Sequence, residues 1–340
     1  MLMVVDMDIE FTLEKSARLS PDTMTDAVKK EATRDGWGKE LLRLGGENKN
    51  IVALSADLSG SVRTNWFEEK YPERFVQVGV AEQNMASVAA GLALEGKKVF
   101  FSSFAAFSPG RNWDQVRVCV VMNRLDVKFS GAHSGITVGQ DGATHEALED
   151  IALMRVLPGL TVLVPCDSNE AAKAARAAAQ TKGPVYIRLG RENSPNFTTA
   201  GTPFEIGKAV AMKEGRDVAI FATGILVHEA LKAAKKLADG GIDAAVINHH
   251  TIKPIDEKSI MHYAKKCGCI VTVEEHQITA GFGSAVCEVL GGKMPTPVER
   301  VGMRDEWGES GPGYPLLEKH GMMAKDIIEA AKKAMGRKIR

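Results

Sequence analysis

Short runs dominated by apolar residues recur along this chain with helical text between them, and that alternation limits the folds open to it. IVALS (51–55), FVQVGV (75–80), KVFFSSF (98–104), DVKFSGAH (126–133), TVLVP (161–165) and PVYIRL (184–189) read as strands. Stretches 26–46, 82–95, 109–123, 145–156 and 168–181 pattern as amphipathic helices. Strands apolar on both faces need cover on both faces, so the pattern predicts a parallel sheet between two helical layers. From Gly190 to Gly207 the text turns rich in Gly, Pro, Ser, Thr and Asn, which reads as a linker. A second α/β unit follows, with strands at 218–224, 244–250, 269–276 and 298–303 and helices ending near 238, near 256–266, near 281–291 and from about 323. The expected fold class is α/β, in two domains, each a mainly parallel sheet flanked by helices. The boundaries are 25–190, a linker at 191–207, and 208–340.

Composition narrows the function. Lys+Arg and Asp+Glu stand at 43 each in 340 residues. No global field therefore draws the chain to nucleic acid or an anionic membrane. No run approaches the ~20 apolar residues of a membrane span. Residues 1–24 lack the basic region and long apolar core of a signal peptide and form an extension to which no role is assigned. The five cysteines are scattered, and Cys267 and Cys269 have no second pair or histidine at ligand spacing. They fit buried thiols of a cytoplasmic protein better than zinc ligands or disulfides.

In open α/β sheets ligands bind beyond the carboxyl ends of the strands. Asp57 follows the first strand, Glu82 the second, His133 the fourth and Arg191 the sixth. Glu82 opens a helix rich in Ala, Ser and Gly. An ordinary first-turn acid is the plain alternative, but small neighbours allow a partner close to it. Phe101, Phe104 and Phe107 recur every third residue, as core or as a flat wall for a heterocycle.

The stretch GAHSGITVGQDGATH (131–145) places His133, Asp141 and His145 among glycines that permit sharp turns and close backbone approach. Thr144 is expected to cap a helix beginning at His145. No GxSxG elbow or comparable nucleophile accompanies them. A carboxylate and two imidazoles without a nucleophile suit hydroxyl recognition and proton transfer. Arg34, Ser61, Arg63 and Arg191 are expected in loops, and a guanidinium fork matches phosphate.

Together these segments resemble the C-terminal half of transketolase. The resemblance runs from about Ala27 to the last helix and is carried by ATR (32–34), SADLSGS (55–61), VGVAEQNM (78–85), FSSFAAF (101–107), AHSGITVGQDGATHE (132–146), PGLTVLVPCDSNEA (158–171), LGRENSP (189–195), HHTIKPID (249–256) and EEHQITAGFGSAV (274–286). It implies a thiamine diphosphate enzyme moving a two-carbon ketol unit between sugar phosphates. Glu82 then matches the glutamate that bonds the cofactor's aminopyrimidine and promotes formation of its ylide. Phe101, Phe104 and Phe107 match the aromatic pocket, the last often tyrosine in the family, and Asp57 an aspartate near the cofactor. Asp141 matches the residue that recognises a substrate hydroxyl, and His145 an imidazole close to the reacting sugar. His133, Arg34, Ser61 and Arg191 match the phosphate contacts.

One departure shapes the reading. The family holds the diphosphate through a divalent metal, Mg2+, on a GDG motif in a separate N-terminal domain, and no GDG occurs here. The resemblance thus implies a split enzyme, inactive alone, whose N-terminal subunit supplies the metal site, with a heterotetramer as the family expectation. Rival readings are the β subunit of a 2-oxo acid dehydrogenase, deoxyxylulose phosphate synthase, and a catalytically silent partner. A nicotinamide site at GFGSAV (281–286) lacks the third glycine. The second domain is expected to pack and dimerise, and no catalytic residue is assigned to it.

Overall fold

The computed structural model describes residues 9–338. Its first sheet has seven strands in the order Thr251–Lys253, Thr161–Leu163, Val185–Arg188, Val127–Ala132, Lys98–Phe104, Ile51–Ser55 and Phe75–Gln77. All neighbours pair in parallel except the first pair. Their carboxyl ends therefore line one edge. The central strands are buried along nearly their whole length, as their apolar text requires. Helices Thr33–Glu47 and Ser168–Gln180 cover one face at close quarters. A Cβ on Gly36 would lie 1.9 Å from the Ser168 carbonyl oxygen, so only glycine allows that approach. Helix Glu82–Leu94 and the π-helical turn Val116–Val121 cover the other face.

The second sheet runs Val298–Met303, Ile270–Gln277, Val218–Ala222, Ala244–Asn248 and Val210–Lys213, the last antiparallel and absent from the sequence pattern. Helices Leu226–Asp239 and Ala324–Gly336 pack together on one face, with Glu257–Cys267 and Phe282–Lys293 on the other. The strand Thr251–Lys253 was likewise not foreseen. It leaves the second unit and pairs with Thr161–Leu163 of the first.

Of the extension expected at 1–24, residues 1–8 lie outside the described residues. The rest packs as a strap on the second unit. Ala17 is fully buried there, Phe11, Leu13, Leu19 and Met24 rest on the same core, and Glu14 N–H donates to the Met212 carbonyl. No helix among the described residues is long and apolar enough to cross a membrane.

Candidate active site

Parallel strands deliver their following residues to one edge, so the candidates meet there in sheet order. Glu82 is the first residue of its helix and is 1% exposed. Its Oε2 accepts from Arg111 Nη1 at 2.7 Å, and its backbone carbonyl accepts from Asn112 Nδ2 at 3.2 Å. Its Oε1 is buried without a partner. A buried carboxylate oxygen left unbonded costs free energy unless something else is to bind it. Arg111, which the sequence reading missed, also lies over the Phe107 ring, 4.6 Å from its centroid.

The aromatic wall is smaller than expected. Phe107 is half-buried and stacks on Phe104 at 5.8 Å between centroids, while His145 meets Phe107 edge-on at 5.3 Å. Phe101 is a correction. It is fully buried, stacked on Phe129 under the opposite helical layer. Along a strand, side chains three apart point to opposite faces, so Phe101 and Phe104 cannot line one wall.

Phe104 stacks in turn on His133, with centroids 3.8 Å apart. His133 has φ +52°, a left-handed backbone that non-glycine residues adopt at a cost. Arg34 Nη1 lies 3.1 Å from His133 Nε2. A guanidinium only donates, so Nε2 accepts and the ring proton sits on Nδ1. Burial, aided by the charges of Arg34, Arg191 and Arg63, pushes the His133 pKa down to about 2. The ring is therefore neutral, under the positive charges of three guanidinium groups. Arg34 also donates to the Ser61 carbonyl at 2.9 Å, so Ser61 contributes its backbone. Arg63, the other arginine the sequence offers here, is held by Asp35 at 2.6 Å.

Arg191 donates to the Val138 carbonyl at 2.6 Å and lies 3.6 Å from Asp141. His145 Nδ1 is 2.8 Å from Thr144 Oγ1. Thr144 does not cap a helix, because the helix begins only at Asp150. The intervening residues are drawn into extended pairing instead, Ala147 bridging to Ser134 and Leu148 accepting from Gln277 N–H. Asp57 has φ +63° and is exposed, and its N–H donates to Gln77 Oε1 at 2.6 Å.

The second unit braces this loop, which was not foreseen. Glu275 Oε1 accepts from Thr137 N–H at 2.7 Å. A Cβ on Gly135 (φ +80°) would lie 2.3 Å from that same oxygen. Arg188 pairs with Asp150 at 3.0 Å and donates to the Glu275 carbonyl at 2.8 Å. Glu146, next to His145, has both carboxylate oxygens buried without partners, and burial beside Glu275 and Glu309 lifts its pKa to about 7. Among the described residues no group of three or more His, Cys, Asp or Glu is arranged to hold a metal ion.

Residues 29–196 match the model of the transketolase pyrimidine binding domain, and residues 207–327 that of the transketolase C-terminal domain. The 6-deoxy-6-sulfo-D-fructose transketolase subunit SqwH of Clostridium sp. is 44% identical over 90% of this chain and 95% of its own. The chain belongs to the transketolase family. A subunit of the apulose-4-phosphate transketolase of Phocaeicola vulgatus is 36% identical over 88% of this chain and 96% of its own. Among solved structures, a split gene transketolase in an inactive β4 tetramer superposes with a TM-score of 0.85 at 45% identity, covering 91% of this chain and 99% of that one. Both family domains thus follow one another here, and the edge just described belongs to the pyrimidine-binding one.

Proposed function

We infer that this chain is the C-terminal subunit of a split transketolase, transferring a two-carbon ketol unit from a ketose phosphate to an aldose phosphate at a site completed by a separate N-terminal subunit. The observation that carries the reading is Glu82: a buried carboxylate with one free oxygen, beside the half-exposed Phe107, on the same edge as a cation cluster. That pairing of an unpartnered carboxyl oxygen and an aromatic face fits an aminopyrimidine. When bound, thiamine diphosphate supplies the carbanion chemistry of the transfer.

Glu82 would hydrogen-bond the pyrimidine ring nitrogen, with Phe104 and Phe107 beside it and Asp57 on the neighbouring strand end. Arg34 and Arg191 hold the terminal phosphate, with neutral His133 fixing the Arg34 fork and Ser61 anchoring it. Asp141 takes a substrate hydroxyl, and His145 stands by the reacting carbon to hold or move a proton. The loop braced by Glu275 fixes these groups relative to one another, which is where orientation lowers the barrier.

The relatives named as subunits span nearly the same length as this chain, which supports a separate N-terminal partner. That partner would carry the diphosphate and Mg2+. Val80, Leu94, Val118 and Met122 expose apolar side chains around the Glu82 helix, a surface suited to a partner and to self-association as a heterotetramer. A cytoplasmic place in pentose phosphate metabolism follows from this reading.

The test is ketol transfer from xylulose 5-phosphate to ribose 5-phosphate with thiamine diphosphate and magnesium, for this chain alone and mixed with its partner. Activity only in the mixture is expected. Full activity of the isolated chain, or turnover of a 2-oxo acid instead, would overturn the reading.

A further inference from the structure

Arg111 occupies the space between the Glu82 carboxyl and the Phe107 ring. Its planar guanidinium lies 4.6 Å over the centroid of Phe107 and donates to Glu82 Oε2 at 2.7 Å. A flat nitrogen-bearing group stacked on an aromatic ring and hydrogen-bonded to a buried carboxyl is also the arrangement a bound aminopyrimidine would adopt there. The pair is not built like a fixed structural bridge. Glu82 is 1% exposed but Arg111 is 47% exposed, and Glu82 Oε1 has no partner at all. Asn112, the next residue, is fastened independently by bonds to the Glu82 carbonyl and to Ser108 Oγ. The backbone there stays in place whether or not the arginine does.

Resting on the cofactor reading above, we propose that Arg111 is a placeholder in the aminopyrimidine seat. It compensates the buried carboxylate while the seat is free, sparing it the cost of an unpaired buried charge. It swings to solvent when the cofactor enters, so cofactor and guanidinium compete for the Phe107 face and the space beside the Glu82 carboxyl. Apparent cofactor affinity is then reduced by the fraction of molecules in which the latch is closed.

Calorimetric titration of thiamine diphosphate with Mg2+ into the complex of this chain and its N-terminal partner tests the proposal, comparing the wild type with Arg111→Met, Arg111→Lys and Glu82→Ala. A latch closed in about nine molecules of ten predicts that Arg111→Met, which keeps the stem and loses the donors, binds about tenfold tighter. Arg111→Lys, with charge but no planar fork, falls between. The rate at which cofactor quenches tryptophan fluorescence rises in the same order. Binding to Arg111→Met that is equal to or weaker than wild type overturns the proposal and leaves the cofactor reading standing. If the wild type binds no cofactor, or Glu82→Ala binds it as well as the wild type, the cofactor reading falls and this proposal with it.

Discussion

Glu82 and Glu274 are the same residue type, both buried and both placed against the start of a helix, yet their surroundings differ. Glu274, in the second domain, spends both oxygens on its helix, accepting from Phe282 N–H at 2.6 Å and Gly283 N–H at 2.8 Å. Glu82, in the first, bonds one oxygen to a half-exposed side chain and leaves the other empty. Each domain has the same kind of strand–helix junction. In one the carboxylate closes the structure, and in the other it is held open. What separates these two carboxylates is unused bonding capacity, not burial.

The contrast is easily broken by mutation. Glu82→Ala should lower kcat of the reconstituted enzyme by about 10²–10⁴-fold, in line with loss of an acid–base group, while the melting temperature barely moves. Glu274→Ala should do the reverse. Orphaning two helix N–H groups that now meet a carboxyl removes about 3 kcal/mol of stability in urea titrations, with little change in kcat for the folded fraction. Should Glu274→Ala spare stability, the difference between the two junctions disappears. At the anion site, Arg191→Ala should raise KM for sugar phosphates by about tenfold or more, through loss of a charge-assisted bond. Its kcat should change less, and a ketose lacking the terminal phosphate should be nearly insensitive to the change.

Glu146 sharpens the comparison through pH. Its pKa is raised from 4.5 to about 7 in the folded chain, chiefly by burial and then by Glu275 and Glu309. Between those values the folded state holds a proton that the unfolded state has released. Stability therefore falls as pH rises through that window and is lowest above it. Glu146→Gln cannot ionise, so it should be more stable than wild type by about 1–2 kcal/mol at pH 8, a fraction of the shift converted at ~1.4 kcal/mol per unit. The gap should shrink as pH falls through about 7 and close below the unfolded value of 4.5. Urea titrations on either side of that window read it directly.

The parallel sheet and its carboxyl edge were legible because period and apolar content report burial on two faces. Glu82, His133, Asp141, His145 and Arg191 could be placed on that edge because position after a strand converts directly into place. Arg34, expected in a loop, lies instead in the first turn of helix Thr33–Glu47. Phe101 misled because a three-residue spacing looks like a stripe, while a strand reverses face at every residue. The helix expected from His145 failed because Ala147 and Leu148 find extended partners from outside their own segment. Arg111 and Glu275 were invisible for a common reason: each acts on a residue far from it in sequence. The strap of residues 9–28 buries single side chains into a core made elsewhere, so it carries no periodicity to read.

The strand Thr251–Lys253 has a consequence for how this chain can be divided. A protease or a designer would choose the Gly- and Pro-rich linker after Gly190 as the seam. The sheet of the first half ends, however, in a strand supplied from beyond that seam. Residues 25–200 expressed alone would present the bare edge of Thr161–Leu163, a template for pairing with another molecule. The two halves are thus laced together rather than linked, and a nick in the linker should leave them travelling as one particle.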